Sequence, residues 1–333
     1  MNIINFILFI AFSSFSLIVC RIVAPSQYSK LLGTIEKETV NQVLLTLPKR
    51  SSINILQMCN SMSKAKETYA LDDAESAYLV FKWISQNIKV DFTNKNKNEN
   101  TVTVYDSGEA GPEGISALFN LFCSYFKVES KTISGLVKTI DNTTDFENTI
   151  KSINSTWNYI VINNESYLVD ASLGRKYFSY IEVEKEFSDF YFATKPGIFI
   201  KSHYPNNIQY QFLSQPYTLE KFEAFPYVPF EFFMLGFMSF SPETKEINGS
   251  GETKITLIYT GSVSTKYLSY YYAFNSKFDI DYSIEAKITN LNGKIEFVFD
   301  KNNKETLYLL LVSMAPNGYE IIPIIIYKLN PSN

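Results

Sequence analysis

The chain contains one histidine and three cysteines among its 333 residues, and these side chains limit the chemistry that it could perform. Because His203 is alone, no site with several histidine ligands can form, and any Ser-His or Cys-His mechanism would have to use this imidazole. The thiols belong to Cys20, Cys59 and Cys123. We therefore expect no metal site and no cofactor.

The composition indicates a folded protein with about two domains. Apolar residues make up 46% of the chain and aromatic residues 16%, which is enough for two buried cores. The net charge is -4, and the lysines are scattered, so the chain lacks the basic surface of a nucleic-acid-binding protein. We expect no nucleic-acid partner.

The N-terminal segment is almost wholly apolar over residues 3–19 and is followed by Arg21. This pattern predicts a signal peptide over residues 1–20, cleaved near Cys20, and hence a protein that is secreted or in the secretory pathway. The alternative is an uncleaved helix over residues 3–19 that anchors the protein in the membrane, because this length is at the lower limit of a membrane span.

Secretion would also affect the remaining thiols and several asparagines. Cys59 and Cys123 would either form one disulfide or stay as free buried thiols. Asn-Xaa-Ser/Thr sequons are typical of a glycoprotein and occur at Asn142, Asn154, Asn164 and Asn248.

Periodicity predicts helices in the first part of the chain and strands in the last part. Apolar spacing indicates helices between residues 29 and 87 and a third helix over 111–126, with Pro112 in its first turn. The polar run 93–101 between them is predicted to be a loop. The strands are predicted at 130–137, 156–162, 166–172, 210–213, 253–260, 267–273, 279–289, 294–300, 305–313 and 319–328. We assign one domain to residues 26–205 and an all-β sandwich to residues 206–333.

Five short motifs occur in a fixed order between residues 75 and 213. The motifs are Phe81-Lys82-Trp83-Ile84 with Asn87-Ile88-Lys89-Val90-Asp91, Ala110-Gly111-Pro112-Glu113-Gly114, Ser155-Thr156-Trp157-Asn158, Leu168-Val169-Asp170-Ala171 and Phe199-Ile200-Lys201-Ser202-His203-Tyr204-Pro205. With them the chain resembles the transglutaminase-like superfamily, and within it the kyphoscoliosis peptidase-like group. The resemblance implies an α+β fold with a transglutaminase-like (papain-like) domain, which the predicted sandwich follows.

The family site requires a cysteine at a helix N-terminus, a histidine and an aspartate, and two of these three residues are missing. Pro112 stands at the nucleophile position, Ser155 at the histidine position, and only Asp170 is retained. Proline has no nucleophile, and serine cannot take up a proton at neutral pH. Cys123 cannot replace the nucleophile in place, because eleven residues of helix displace it by roughly 16 Å along the axis.

The remaining members of these motifs are expected to have structural or binding roles. His203 belongs to the closing motif and not to the catalytic set, and we expect it to be a hydrogen-bonded structural residue. Asp170 is expected to accept hydrogen bonds from Trp157 or from local backbone donors. Small side chains at positions 155 and 171 would leave a cleft between the helix and the hairpin, in which Trp157 and Asp170 could contact a peptide.

These observations favour a secreted, catalytically inactive pseudoenzyme that acts by binding proteins. One alternative is an active cysteine-type peptidase or transglutaminase-like enzyme with a displaced nucleophile at Cys59 or Cys123. Another is a purely structural envelope or matrix component. One predicted strand carries a cluster of tyrosines, Tyr267, Tyr270, Tyr271 and Tyr272. These side chains would either form part of a protein interface or simply alternate between the buried and the exposed side of the strand.

Overall fold

The computed structural model describes residues 28–92, 100–140, 150–174, 187–248, 251–259, 269–274, 284–285, 287–291, 293–301, 306–315 and 318–330. The predicted signal peptide, most of the polar run 93–101, the sequon at Asn142 and Tyr267 lie outside these residues. The chain divides into two compact units. One comprises Ala24–Thr139 and Ser152–Phe222, and the other is built mainly from Glu223–Asn333.

Helices form the first part of the first unit, as the sequence predicts. Asn54 and Asp72 begin two of them with a capping box. In each, the side chain of the cap residue accepts a hydrogen bond from the backbone N–H of the third helical residue, and the side chain of that residue, Gln57 or Glu75, accepts one from the backbone N–H of the cap residue. In order, the α-helices of this part of the described chain are α1 (Lys37–Thr46), α2 (Ile55–Tyr69), α3 (Asp73–Asn87), α4 (Thr101–Ser107) and α5 (Pro112–Tyr125). A short parallel pair of strands, β1 (Lys89–Val90) and β2 (Glu109–Ala110), flanks α4.

The helices are followed by a five-stranded sheet with the order β6-β5-β4-β3-β7. Its last strand in sequence therefore returns to the edge opposite β6. A short helix, α6 (Pro196–Phe199), connects the two edge strands. The strands are β3 (Glu129–Ile140), β4 (Ile150–Ile162), β5 (Glu165–Val169), β6 (Phe192–Thr194) and β7 (His203–Pro205).

The turn between β4 and β5 has two residues, as predicted. Asn163 and Asn164 have φ angles of 51° and 63°, the left-handed conformation that a tight hairpin turn needs and that asparagine tolerates. The register pairs Asn158 with Val169, and one further step would place Trp157 opposite Asp170. The strand ends earlier than predicted, because the side chain of Asp170 caps a 3-10 turn over Ala171–Leu173.

The segment after Pro205 contains helical turns, whereas the sequence predicted only strands beyond this residue. Ile208–Gln211 forms a 3-10 turn in place of the strand 210–213, because the Asn207 side chain accepts a hydrogen bond from Gln209 N and starts a turn. Two short helices then follow, α7 (Leu219–Ala224) and α8 (Phe230–Met234). Each of these helices has too few residues for a helical period of apolar positions to be recognised in the sequence.

The second unit contains two sheets, with the orders β13-β14-β10-β8 and β12-β11-β15-β16-β9. Its buried side chains include Ile255, Leu257 and Phe297 in one sheet and Ile325 and Tyr327 in the other. The strands are β8 (Phe237–Ser241), β9 (Glu246–Asn248), β10 (Gly251–Tyr259), β11 (Ser269–Phe274), β12 (Ile284–Glu285), β13 (Lys287–Leu291), β14 (Lys294–Lys301), β15 (Thr306–Ala315) and β16 (Gly318–Asn330). The predicted α+β class is confirmed. Among the described residues, no helix has the length and apolar character needed to cross a bilayer.

Candidate functional site

The nucleophile position lies at the first residue of α5. Gly111 is the N-cap in an extended conformation, and Pro112 occupies the first helical position, where its missing N–H costs no helical hydrogen bond. Pro112 is half-buried. The N-terminus of α5 therefore keeps the dipole that would stabilise a thiolate, but it carries no thiol.

Three hydrogen bonds hold this helix against β4. The Asn158 side-chain amide donates to Ser116 O at 3.2 Å and to Asn120 Oδ1 at 2.9 Å, and Ser116 Oγ donates to Trp157 O at 3.3 Å. The helix also packs against the 3-10 turn that follows Asp170. The Trp157-Asn158 and Asp170-Ala171 motifs thus hold α5 against β4 and against the turn after β5.

Ser155, at the histidine position on β4, is only 8% exposed. Trp157 and Asp170, which were expected to line a cleft, are each 1% exposed, and Ala171 is 3% exposed. Packing of α5 on the turn and of aromatic rings on Trp157 fills the space that small side chains would otherwise leave. None of these side chains presents a surface to a ligand in this structure.

Both carboxylate oxygens of Asp170 accept hydrogen bonds. Oδ1 accepts from Ser172 N at 2.8 Å and from Ser172 Oγ at 2.5 Å, so the expected local backbone donor is present. Oδ2 lies 3.1 Å from Nε2 of His203. The expected donor Trp157 does not contribute, because its buried Nε1 has no partner among the described residues. Asp170 therefore contacts an imidazole, that of His203 on β7. The sequence did not predict this contact.

His203 lies at the start of β7, paired with Val137 of β3, and is 1% exposed. Three aromatic rings surround its imidazole, with centroid distances of 3.9 Å to Phe199, 5.1 Å to Trp157 and 5.5 Å to Tyr191. The prediction that His203 is a hydrogen-bonded residue is confirmed. The expectation that Asp170 accepts only from Trp157 or local backbone donors is wrong, because His203, on β7, also contacts its carboxylate.

The second nitrogen of the imidazole also has a partner. Nδ1 of His203 lies 2.7 Å from Oγ of Ser202, whose side chain is half-buried. Because a carboxylate can only accept, we assign the imidazole hydrogen to Nε2, and Nδ1 of the neutral ring then accepts from the Ser202 hydroxyl. Sequence reasoning did not find this contact. The available signal was that Asp170 and the single histidine were both expected to need hydrogen-bond partners.

Burial favours the protonated form of both described thiols. Cys59 and Cys123 are free and fully buried, so the predicted alternative of free thiols holds in the structure. Burial raises the pKa of the Cys59 thiol to about 11 and raises the pKa of the Cys123 thiol further. Within the described residues, no group of three or more His, Cys, Asp or Glu side chains could hold a metal ion.

Comparison with known proteins finds relatives that match part of this chain. No family model matches the chain. The chain is 26% identical over 192 residues to kyphoscoliosis peptidase from Homo sapiens, an alignment that covers 56% of this chain and 29% of that protein. It is 22% identical over 227 residues to Hillarin from Drosophila melanogaster, covering 64% of this chain and 27% of that protein.

A further relative is the Lim and transglutaminase domain protein ltd-1 from Caenorhabditis elegans, 24% identical over 177 residues, covering 49% of this chain and 24% of that protein. The chain thus spans less than a third of the length of these relatives. Among solved structures, one described as a TGase has a TM-score of 0.28 and 8% identity, covering 47% of this chain and 42% of that chain. The relationship rests on the sequence matches.

Proposed function

We propose that this chain, which belongs to the transglutaminase-like superfamily, has lost the cysteine chemistry of the family and acts by binding protein partners. The carrying observation is the occupancy of the family site. Pro112 begins the helix, buried Ser155 takes the histidine position, and the retained Asp170 is hydrogen-bonded to His203 instead. No thiol among the described residues has the low pKa that a nucleophile needs.

Secretion and glycosylation form part of the same proposal. The apolar N-terminal segment would direct the chain to the secretory route, and the asparagines of three sequons, Asn154, Asn164 and Asn248, are exposed. Anchoring by residues 3–19 would instead leave the same two units attached to a membrane surface.

The first test asks whether the thiols react. The folded protein is treated with a low concentration of iodoacetamide, and labelled peptides are counted by mass spectrometry. We expect no labelling of Cys59 or Cys123 in the folded protein and full labelling of both after denaturation, because only the thiolate reacts and burial disfavours it. Rapid labelling of either thiol in the folded state would contradict the proposal and support a displaced nucleophile.

The second test restores the missing residues. The double variant Pro112→Cys with Ser155→His should regain little or no peptidase or acyl-transfer activity, because Asp170 Oδ2 is engaged by His203 and position 155 is buried. The single variant Pro112→Cys is the control, and we expect its new thiol to be alkylated by iodoacetamide, since a helix N-terminus stabilises a thiolate. Robust turnover by the double variant would show that the site remains preorganised.

The third test concerns the partner. The full chain, immobilised through its C-terminus, is used to capture proteins from the extracellular or luminal fraction. We expect a saturable partner whose capture is the same for wild type and for protein treated with iodoacetamide. Self-assembly of the purified chain without any captured protein would favour the structural-component alternative.

A further inference from the structure

Ser202, His203 and Asp170 form one continuous hydrogen-bonded chain in the first unit. The Ser202 hydroxyl lies 2.7 Å from Nδ1 of His203 and at the longer distance of 3.4 Å from Phe199 O, and Nε2 of His203 lies 3.1 Å from Oδ2 of Asp170. Hydrogen bonds from Ser172 N and Oγ fix the other carboxylate oxygen. A hydroxyl, an imidazole and a buried aspartate in this order are the parts of a serine nucleophile with its general base.

The surroundings match the different roles of these residues. Asp170 and His203 are each 1% exposed, and the rings of Phe199, Trp157 and Tyr191 pack around the imidazole. Ser202 follows α6 and is half-buried, so it is the most exposed of the three residues. In this arrangement the two ring nitrogens exchange the roles that they have in the usual triad, since Nδ1 faces the hydroxyl.

We propose that Ser202 is a nucleophile activated by His203 and Asp170, and that it accepts the acyl group of carboxylic esters. Oγ of Ser202 would attack the ester carbonyl while its proton passes to Nδ1 of His203. The ester C–O bond then breaks, and the alcohol leaves with that proton, so that an acyl-serine remains. Water attacks the acyl-serine with His203 again taking and returning the proton, which releases the carboxylic acid and restores Ser202.

This inference goes beyond the proposed function and is independent of it, because it uses neither the helix N-terminus nor a thiol. The hydrolysis step is expected to be slow. The backbone N–H of Ser202 donates to Phe199 O at 3.1 Å and so does not face a developing oxyanion, a contribution that often supplies a large part of the rate. Formation of the covalent serine adduct is therefore the measurement to make.

The probe is a biotinylated alkyl fluorophosphonate, applied to the full chain. Oγ of Ser202 attacks phosphorus, fluoride leaves, and the hydroxyl proton passes through His203 to solvent. We expect one adduct per chain in the intact mass, located at Ser202 by peptide mapping, and no adduct on denatured protein. Absence of an adduct at Ser202 in the folded wild-type protein overturns the proposal.

Variants separate nucleophilic activation from simple exposure. Ser202→Ala should abolish labelling, and His203→Gln should slow it at least about 100-fold, the lower end of what a positioned base contributes. Ser124→Ala is the matched control, because Ser124 Oγ at the end of α5 donates to Leu121 O, as Ser202 Oγ does to Phe199 O three residues earlier, but no imidazole lies beside it in the described residues. Labelling of Ser124 as fast as Ser202, or of folded His203→Gln as fast as wild type, would reduce Ser202 to a residue that only positions the imidazole.

Discussion

Asp170 receives hydrogen bonds from three donors, which are Ser172 N, Ser172 Oγ and Nε2 of His203. A carboxylate that is 1% exposed is stable only when its oxygens are satisfied, because desolvation of an unpaired charge is expensive. Ser172 and His203 meet this requirement. Asp170 thus has a structural role in the first unit, as the acceptor for His203.

Replacement of this carboxylate tests that role. In Asp170→Asn, either His203 Nε2 or Ser172 N would face the amide nitrogen, so one donor loses its acceptor. We expect the free energy of unfolding to fall by about 1–3 kcal/mol, the cost of one buried unsatisfied group, in urea denaturation. Asp73→Asn is the control, because Asp73 is exposed and bonded to Lys66, and exposed ion pairs contribute at most about 1 kcal/mol. Equal losses in both variants would argue against the buried hydrogen bonds.

Cys59 predicts a loss of stability at high pH. Its pKa is about 11 in the folded chain, above the value of about 8.5 expected when unfolded, so over this interval the unfolded chain releases a proton that the folded chain keeps. Stability therefore falls as pH rises through this window. Between pH 8 and pH 10, wild type should lose on the order of 1–2 kcal/mol more than Cys59→Ala does. Parallel pH profiles for the two proteins would contradict the raised pKa.

At the scale of elements, Gly135 of β3 permits the close approach of β7 and Trp157. It pairs with Pro205, and a Cβ at this position would meet Tyr204 O at 2.1 Å and Trp157 Cη2 at 2.5 Å. The lack of a side chain here therefore keeps Trp157 beside His203. Because one of the two obstacles is backbone, the clash cannot be relieved by a side-chain rotation alone.

Gly135→Ala should consequently destabilise the first unit by about 1–3 kcal/mol or more, through overpacking. Gly197→Ala in α6 is the matched control, since a Cβ there has nothing within 4 Å and we expect no loss of stability. Thermal unfolding followed by circular dichroism measures both. An unchanged melting temperature for Gly135→Ala would show that β7 can move away from β3.

The sequence predicted the local parts of this region and missed its long-range parts. The two-residue turn at Asn163-Asn164 and the start of α5 at Pro112 depend on adjacent residues, so the local sequence is enough to predict them. The His203–Asp170 contact depends on β7 pairing with β3 on the far side of β4, which no neighbouring residue encodes. Asp170 was therefore identified as retained, but its partner was not.

At the scale of the whole molecule, the order of a helix-rich part followed by a strand-rich part was predictable from the change of period. The first compact unit continues to Phe222, whereas the predicted boundary follows residue 205. The short helices α7 and α8 lie near this boundary, in a stretch for which the sequence predicted neither a helix nor a strand. Their stability comes from packing of Phe222, Phe232 and Phe233, which periodicity does not reveal.

Glycosylation is the prediction that belongs to this scale. When the full chain is expressed in a eukaryotic secretory host, we expect it in the medium with a mass that falls after peptide-N-glycosidase treatment, because Asn154, Asn164 and Asn248 are exposed. Asn164→Gln should remove one glycan, whereas Asn163→Gln, its neighbour in the same turn, should remove none. Retention in the cell without any mass change would contradict both the signal peptide and the glycoprotein assignment.

The solitary histidine makes the buried imidazole directly observable. With one such ring in the chain, a nitrogen-15 correlation spectrum of the whole protein contains a single imidazole pattern, and it requires no resonance assignment. The two nitrogen shifts distinguish the tautomer with hydrogen on Nε2 from its alternative and from the cation. The spectrum of each variant at Ser202 or Asp170 would thus show directly how the substitution changes the tautomer or the charge of this one ring.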